Sequence, residues 1–246
     1  MVDHTHALSF GAAASDYDRF RPGYPEAAVS WALDGLSRAR VVDLAAGTGL
    51  LSRAVLALGH DVVPVEPDEG MRTQLAASTP GTTALAGSAE AVPLPDAGAD
   101  AVLVGTAYHW FDREPAHAEI ARVLRPGGTF APIWNIRDDS VDWVAELGRI
   151  AHFGDRSTLE LIGERPDFGP AFDTVEQREF PHRTTLTPEE LLGVVRTRSY
   201  WLTASTEDQQ LVARELTDLL NTHPALVGRD TVELPYRTLV LRARRR

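Results

Sequence analysis

The fold is decided by the stretch Val41-Val42-Asp43-Leu44-Ala45-Ala46-Gly47-Thr48-Gly49. Its first four residues predict a short buried strand, its two glycines predict a tight turn, and residues 50–58 predict a helix. A second apolar run over residues 61–66 predicts the next strand and ends in Glu66. That acid lies 23 residues after Asp43, about where doubly wound folds place a carboxylate that binds a ribose. The pattern indicates a nucleotide-like ligand with a free ribose diol.

Two common nucleotide motifs do not fit this stretch. The dinucleotide fingerprint Gly-x-Gly-x-x-Gly would need a third glycine at position 52, which is Ser52 here. The chain also has no Gly-Lys-Ser/Thr sequence of the kind that cradles phosphates in P-loops. A nucleotide-dependent dehydrogenase therefore stays only as an alternative, and tighter binding of NAD(P)H than of other nucleotides would support it.

The spacing Asp-x-Ala-x-Gly-x-Gly over residues 43–49 resembles the S-adenosylmethionine (SAM) motif of class I methyltransferases, whose usual form has glycine in place of Ala45. Residues 87–96 resemble the adenine-side loop of that family, and residues 100–104 resemble its fourth strand. Residues 124–130, Leu-Arg-Pro-Gly-Gly-Thr-Phe, resemble the turn into its fifth strand. These motifs occur in the order and with the spacing of the family.

Two aromatic segments give a narrower resemblance. Residues 17–25, Tyr-Asp-Arg-Phe-Arg-Pro-Gly-Tyr-Pro, and residues 108–111, Tyr-His-Trp-Phe, are similar to the small-molecule branch with a methyltransferase-11 type domain. They are also similar to the trans-aconitate methyltransferase-like group. The resemblance implies that this chain is an enzyme that transfers a methyl group from SAM.

Strands that alternate with helices predict an α/β fold with a parallel sheet. The resemblance implies a Rossmann-like, seven-stranded, mostly parallel sheet with helices on both faces, an antiparallel C-terminal strand and a helical insertion or cap. We predict strands at residues 41–44, 61–66, 83–86, 100–104, 128–134, 175–180 and 236–243. Predicted helices cover residues 25–36, 50–58, 68–77, 115–124, 141–150 and 207–220, and a further helix begins after Thr187, where Pro188 and Glu190 complete a capping-box pattern.

The whole chain of 246 residues is expected to form one class I methyltransferase domain. Residues 1–36 are expected to form an N-terminal lid and helix, residues 37–135 the SAM-binding core, and residues 136–246 the acceptor-side insertion and the closing strands. The alternation of strands and helices stops after Trp134, which separates the last two segments.

Composition restricts the class of partner. The formal net charge of −11 disfavours binding to phosphate backbones, so no nucleic-acid partner is expected. The chain has no cysteine, which excludes disulfides, thiolate metal sites and cysteine-dependent methylation of cytosine C5. No signal sequence or run of about 20 apolar residues is present, so a cytoplasmic protein without a membrane partner is expected. His4 and His6 do not make a convincing metal site, and we predict none.

The family resemblance implies roles for individual residues. Gly47 and Gly49 would let the loop pass close to the cofactor, and Glu66 would accept hydrogen bonds from the ribose. Asp43 would either organise that loop or contact the ammonium group of the cofactor through water. Tyr17 would cover the site, and Arg21 would bind the SAM carboxylate. The complete set of predicted cofactor-binding residues is Tyr17, Arg21, Asp43, Ala45, Gly47, Gly49, Glu66, Pro67, Met71, Ser88, Ala89, Glu90 and Thr106.

The methyl acceptor is expected to approach after the fourth strand. His109 and Trp110 are predicted to lie in the acceptor pocket, with His109 as the candidate catalytic base, although a purely structural hydrogen-bonding role is the favoured interpretation of this histidine. Tyr200 and Trp201 are further candidate acceptor-binding residues. Other polar candidates in the acceptor-side region are His152, Arg156, His182, Arg196 and Arg198.

The predicted function is therefore transfer of a methyl group from S-adenosylmethionine to a small molecule, with a carboxylate or hydroxyl oxygen as the favoured acceptor atom. Three alternatives stay open. A protein or RNA methyltransferase would prefer macromolecular acceptors, a SAM-binding protein without catalysis would bind SAM but show no turnover, and a dehydrogenase would bind NAD(P)H. The sequence gives no prediction of the oligomeric state.

Overall fold

The computed structural model describes residues 14–151 and 166–246. Within them, six strands form one sheet: β1 (Arg40–Leu44), β2 (Asp61–Val65), β3 (Ala99–Gly105), β4 (Leu124–Arg137), β5 (Glu176–Leu186) and β6 (Val232–Arg244). The strand order is β2-β1-β3-β4-β6-β5. Strands β2, β1, β3 and β4 pair in parallel, whereas β6 is antiparallel to both of its neighbours. The predicted α/β class, the mostly parallel sheet and the antiparallel C-terminal strand are confirmed.

The prediction of seven strands is wrong, because residues 83–86 do not form a strand. Only Leu85 pairs with the sheet, through a parallel bridge to Val65. The Leu85 N–H donates to the carbonyl of Pro64 at 2.9 Å, and the Glu66 N–H donates to the carbonyl of Leu85 at 2.9 Å. The next bond of a parallel ladder would need an N–H from Pro64, which proline does not have. The pairing therefore stops after one residue.

The helices of the described residues flank and cap this sheet. They are α1 (Ala14–Phe20), α2 (Glu26–Ala32), α3 (Leu50–Ala57), α4 (Glu69–Ser78), α5 (Arg113–Val123), α6 (Asp142–Ile150), α7 (Pro188–Arg196), α8 (Ser199–Thr203) and α9 (Thr206–Thr222), with a 3₁₀ helix at Tyr108–Trp110. The predicted capping box of α7 is present, since the Thr187 side chain accepts from the Glu190 N–H and the Glu190 side chain accepts from the Thr187 N–H.

Alternate residues of the central strands enter two different cores. Val42 and Leu44 belong to one buried cluster, whereas Val41 belongs to another. The same alternation in β3 places Val102 in the first cluster and Leu103 in the second. Both faces of the sheet are therefore covered, as is typical of parallel sheets, whose strands are continuous hydrophobic runs.

A third buried cluster holds the predicted helical cap together. Leu147 of α6, Leu191 of α7 and Leu216 of α9 are fully buried in it, together with Leu234 and Tyr236 of β6. Helix α6 is strongly amphipathic, and the apolar side that it packs into this cluster carries Trp143, Leu147 and Ile150 at helical spacing. The cap is thereby fixed to the antiparallel end of the sheet.

Helix α1 connects the N-terminal segment to both the core and the cap. Its Asp18 forms an ion pair of 2.6 Å with Arg53 of α3. Phe20, at its last position, lies so close to Gly193 of α7 that a Cβ added to that glycine would be 2.7 Å from the ring. No helix within the described ranges combines the length and the apolar character needed to cross a membrane. The acceptor-side candidates His152 and Arg156 lie outside the described residues, as do His4 and His6, for which no metal site was predicted.

Candidate cofactor and acceptor site

A cavity of about 250 Å³ lies at the carboxyl ends of β1, β2 and β3. Ligands of open α/β sheets bind at this edge, outside the carboxyl ends of the strands. Most of the predicted cofactor-binding residues line the cavity, namely Tyr17, Arg21, Ala45, Gly47, Glu66, Pro67, Met71, Ser88, Ala89, Glu90 and Thr106. The predicted acceptor residues His109 and Trp110 also line it. Their individual roles stay predictions.

The loop after β1 is held by backbone geometry that favours glycine. Gly47 and Gly49 have φ values of +55° and +86°, which glycine adopts without steric cost. A Cβ at Gly49 would be 2.9 Å from Cγ of Leu75, whereas a Cβ at Gly47 would meet no heavy atom of the described residues within 4 Å. Gly49 is therefore needed for packing against α4, and Gly47 leaves open space at the cavity.

Ala45 adopts the same left-handed conformation, with φ of +57°. A non-glycine residue pays roughly 1–2 kcal/mol for this conformation. Left-handed alanine at a ligand-facing turn is the kind of backbone strain that collects at functional sites. Ala45 thus keeps the backbone path that glycine would give, although its methyl group is added at the cavity wall.

Glu66 connects the second strand to the glycine loop. One of its carboxylate oxygens accepts from the Gly47 N–H at 2.9 Å, and the other accepts from the Asp68 N–H at 2.9 Å. The residue is only 6% exposed, and burial raises the pKa of its carboxyl above the usual range, against the effect of these two hydrogen bonds. Each carboxylate oxygen can accept a further bond, so Glu66 can hold the loop and bind a ligand hydroxyl together.

Asp43 lies beneath the glycine loop and does not line the cavity. Its side chain is completely buried, and Oδ2 accepts from Ser52 Oγ at 2.6 Å. Burial raises the pKa of this carboxyl to about 7, although the bonds from Ser52 oppose the shift. Oδ1 has no hydrogen-bond partner among the described residues. The structure therefore places Asp43, like Gly49, behind the loop rather than against a ligand.

The predicted adenine-side loop forms a narrow turn. Ser88 and Ala91 exchange two backbone hydrogen bonds, of 3.3 and 3.2 Å, and this turn presents Ala89 and Glu90 to the cavity. Glu90 also accepts from the Asp112 N–H at 3.1 Å, which fixes its carboxylate near the segment that contains His109 and Trp110. Pro67 and the buried Met71 supply apolar wall beside this turn.

The carboxyl end of β3 carries a second strained residue. Thr106 has φ of +56°, which is a genuine outlier for a β-branched side chain. Its N–H donates to the Ile133 carbonyl at 2.7 Å, and its hydroxyl is 3.2 Å from the hydroxyl of Tyr24. A Cβ at the preceding Gly105 would be 2.6 Å from the same Tyr24 hydroxyl. Tyr24, which no sequence motif indicated as a site residue, therefore packs against Gly105 and Thr106 and supports this wall of the cavity.

The 3₁₀ helix after β3 places His109 and Trp110 side by side, with ring centroids 4.7 Å apart. Burial lowers the pKa of His109 to about 4, and its Nδ1 has no hydrogen-bond partner within the described ranges. The imidazole is therefore neutral at physiological pH and is a weak base. A weak base argues against general-base chemistry, and the structural hydrogen-bonding role favoured for His109 stays a prediction.

The N-terminal segment and the cap each bring an arginine to the cavity, Arg21 and Arg198. The Arg21 guanidinium lies 4.6 Å from the centre of the Tyr17 ring and donates to the side chain and carbonyl of Thr197, at 3.1 and 2.9 Å. Arg198 was named only among the general acceptor-side candidates. No motif singles it out, because its position depends on how the cap packs on the core.

Tyr200 and Trp201, the other predicted acceptor residues, do not line this cavity. Both pack against the buried cluster of the cap, and Arg196 lies over the Trp201 ring at 6.0 Å. His182 lies elsewhere as well, stacked on Tyr236 at 5.2 Å. Within residues 14–151 and 166–246, no group of three or more His, Asp or Glu side chains has the arrangement of a metal site.

Comparison with known proteins identifies the family. The methyltransferase domain family matches residues 42–131, which include the glycine loop and Glu66. A relative from Mycobacterium bovis, which carries the name uncharacterised methyltransferase, is 42% identical over 238 residues, covering 96% of each chain. The malonyl-[acyl-carrier protein] O-methyltransferase of Methylococcus capsulatus is 36% identical over 135 residues, or 50% of this chain and 49% of that protein.

A solved structure from Anaeromyxobacter dehalogenans, provisionally described as a type II methyltransferase, has the same fold. It superposes with a TM-score of 0.61 at 24% identity, covering 92% of this chain and 97% of that one. The fold, the cavity at the ends of its strands and the relative that matches nearly the full length lead to one conclusion: this protein is an enzyme of the methyltransferase family.

Proposed function

We propose that this methyltransferase uses S-adenosylmethionine to methylate a small-molecule acceptor, with a carboxylate or hydroxyl oxygen as the favoured acceptor atom. The observation that carries the proposal is the buried carboxylate of Glu66 at the cavity, hydrogen-bonded to the Gly47 N–H of the glycine loop. This wall of the cavity therefore contains a carboxylate that can bind ribose hydroxyls and, beside it, a glycine backbone that a ligand can approach closely.

The residues present fit SAM. Glu66 would hold the ribose hydroxyls, and Ala89 with Pro67 and Met71 would enclose the adenine between apolar surfaces. The open space at Gly47 would accommodate the amino-acid part of the cofactor, and Arg21 would bind its carboxylate. When bound, SAM supplies an electrophilic methyl group on a sulfonium sulfur.

The protein contributes mainly position and exclusion of water. His109 is neutral, so it would orient an acceptor by hydrogen bonding rather than remove a proton from it. Trp110 would form the face on which the acceptor rests, and an aromatic face also favours a nearby cation. An acceptor with an already ionised oxygen needs no base, which is why a carboxylate suits this site.

The name of one relative supports an oxygen acceptor. The relative from Methylococcus capsulatus that matches half of the chain is by its name an O-methyltransferase, which is consistent with an oxygen acceptor. We propose the same division of the chain as the sequence predicts. Residues 1–36 form an N-terminal lid and helix, residues 37–135 the SAM-binding core, and residues 136–246 the acceptor-side insertion and the closing strands.

A turnover screen tests the proposal. Purified protein and SAM would be incubated with small carboxylic acids, small alcohols, bulk RNA and a protein mixture, and release of S-adenosylhomocysteine would be measured. Turnover with a small acid or alcohol is expected. Turnover with RNA or protein alone would contradict the choice of acceptor, and binding of SAM without turnover on any acceptor would favour a protein that does not catalyse methyl transfer.

A further inference from the structure

We propose that the cap and the N-terminal segment together form an anion-binding subsite for the methyl acceptor, in which Arg198 binds an acceptor carboxylate. The inference rests on the proposed function and names the chemical class of its substrate. It is carried by Arg21 and Arg198, which line the cavity from two separate parts of the chain. Arg137, from a third part, lies close enough for its charge to act on Arg198.

Arg198 brings the cap to the edge of the cavity. It lies between α7 and α8 and lines the cavity that also contains Glu66, His109 and Trp110. Its N–H donates to the Val195 carbonyl at 3.1 Å, which fixes the backbone at this corner of the cap. Arg198 is therefore presented to the cavity from the corner between two helices, on the predicted acceptor side of the chain.

Hydrogen bonds connect Arg21 to the residue next to Arg198. The two hydrogen bonds from Arg21 go to Thr197, the residue directly before Arg198. Thr197 is itself buried, and its hydroxyl donates to the Val194 carbonyl at 2.9 Å. The N-terminal segment and the cap thus hold their two cavity-lining arginines in a fixed relation, which is the pre-organisation that tight anion binding needs.

Arg137 adds a further positive charge that acts on Arg198. Arg137, at the end of β4, pairs in register with Tyr236 of β6. Burial lowers the pKa of the Arg198 guanidinium, and the positive charges of Arg21 and Arg137 lower it further. Burial also lowers the pKa of Arg137 to about 10, which still leaves it charged at neutral pH. A bound anion would relieve this mutual repulsion.

The number of guanidiniums indicates which anion Arg198 binds. The cofactor carries one carboxylate, whereas two guanidiniums line the cavity. Each guanidinium has five N–H donors in a fork that matches a carboxylate, so each can bind an anion in addition to its contacts within the protein. Arg21, on the N-terminal segment, is assigned to the cofactor, and Arg198, on the cap, to the acceptor.

Calorimetric titration distinguishes these two carboxylates. Wild type and three variants would be used: Arg198→Gln, Arg198→Lys, and Arg196→Gln as a matched control. Arg196 is an exposed arginine two residues away that lies over Trp201 and does not line the cavity. Each protein would first be titrated with S-adenosylhomocysteine. It would then be titrated, saturated with that compound, with succinate, tricarballylate, benzoate and phenylacetate, each compared with its amide.

We expect at least one carboxylate to bind wild type more tightly than its amide. Arg198→Gln should weaken that carboxylate about tenfold or more, since the lost bonds are charge-assisted, and should leave its amide unchanged. Arg198→Lys should retain part of the affinity, and Arg196→Gln all of it. The affinity for S-adenosylhomocysteine should be similar in all four proteins.

Three results would overturn the subsite. They are the absence of any preference for a carboxylate over its amide, an unchanged carboxylate affinity in Arg198→Gln, and a selective loss of S-adenosylhomocysteine affinity in that variant, which would assign Arg198 to the cofactor. Failure of wild type to bind S-adenosylhomocysteine would contradict the proposed function instead. The comparison of carboxylates with amides, repeated without that compound, would still decide the subsite.

Discussion

The backbone N–H of Gly47 donates a hydrogen bond of 2.9 Å to the carboxylate of Glu66. The bond joins the two sequence motifs that indicate a nucleotide-like ligand, and it closes the corner between the carboxyl ends of β1 and β2. The same carboxylate also accepts from the Asp68 N–H at the start of α4. One buried acid therefore fixes the glycine loop, the entrance of the next helix and a wall of the cavity.

Replacement of Glu66 tests this relationship. Glu66→Ala should weaken binding of S-adenosylhomocysteine tenfold or more, because charge-assisted hydrogen bonds contribute about 1.5–3 kcal/mol each. Glu69→Ala, which removes a neighbouring exposed acid outside the cavity, should bind normally. Calorimetry measures both affinities, and circular dichroism checks the fold. Unchanged affinity in a folded Glu66→Ala protein would remove Glu66 from the proposed site.

The two loop glycines should respond differently to alanine. Gly49→Ala places a methyl group against Leu75 in a left-handed backbone, so the free energy of unfolding should fall by about 2–4 kcal/mol. Gly47→Ala meets no such neighbour and should lose only about 1–2 kcal/mol, yet it should weaken S-adenosylhomocysteine because it adds a methyl group at the cavity. Urea unfolding and calorimetry separate the two effects. Equal stability losses would show that the loop geometry described above is wrong.

Asp43 should make stability depend on pH. Because its folded-state pKa is raised by burial to about 7 from an ordinary value near 3.8, the folded protein binds more protons than the unfolded chain between these values. Stability from this residue is therefore present at low pH and is lost as pH rises from about 4 to 7, by at most about 1.4 kcal/mol per pH unit.

Asp43→Asn removes that contribution, and its amide oxygen can still accept from Ser52. The free energy of unfolding of wild type minus that of the variant should fall as pH increases from 4 to 7 and become constant above it. Urea unfolding at a series of pH values measures the difference. A difference that does not change with pH would mean that Asp43 ionises in the folded protein at its ordinary pKa.

His109 should not act as a general base. With its pKa lowered by burial to about 4, the imidazole is neutral from pH 6 to 8, and its ionisation cannot produce an inflection there. For an acceptor found in the turnover screen, wild type and His109→Gln should give pH profiles of kcat/KM with the same shape. An inflection near pH 6.5 that is present in wild type and absent in His109→Gln would establish base catalysis by this residue.

Trp110 should serve the acceptor more than the cofactor. Trp110→Ala should lower kcat/KM for the acceptor about tenfold, since truncation of a well-packed aromatic anchor costs about 1–2 kcal/mol or more. The affinity for S-adenosylhomocysteine should change little. Trp201→Ala is the matched control, because that ring packs in the cap and does not line the cavity. Equal losses of acceptor use and cofactor affinity would contradict the placement of Trp110.

Local sequence patterns and the family resemblance together predicted the parallel part of the sheet and most of the residues that line the cavity. Val41 to Leu44 and the run that ends at Glu66 are short apolar segments bounded by turn residues, and the ends of adjacent parallel strands must meet. The predicted strand at residues 83–86 failed for a local reason, because Pro64 on the neighbouring strand cannot donate the second ladder bond. That missing N–H is visible in the sequence once the pairing partner is known.

The acceptor side could not be predicted in the same way. Arg198, Tyr200 and Trp201 lie within four residues of one another, and all three types suit a binding site. Only the packing of α7 and α8 on the cap decides that Arg198 lines the cavity while the two aromatic side chains enter the apolar cluster. Tyr24 was missed because its role depends on the strained backbone at Thr106, which no local pattern encodes.

The measurement that tests the central claim most directly is calorimetric titration of the wild-type protein with S-adenosylhomocysteine, with NADH as the control ligand. Binding of S-adenosylhomocysteine in the micromolar range, without binding of NADH, is the result predicted by a cavity built on Gly47 and Glu66. Binding of NADH more tightly than of S-adenosylhomocysteine, or of neither ligand, would contradict the assignment of this cavity to SAM.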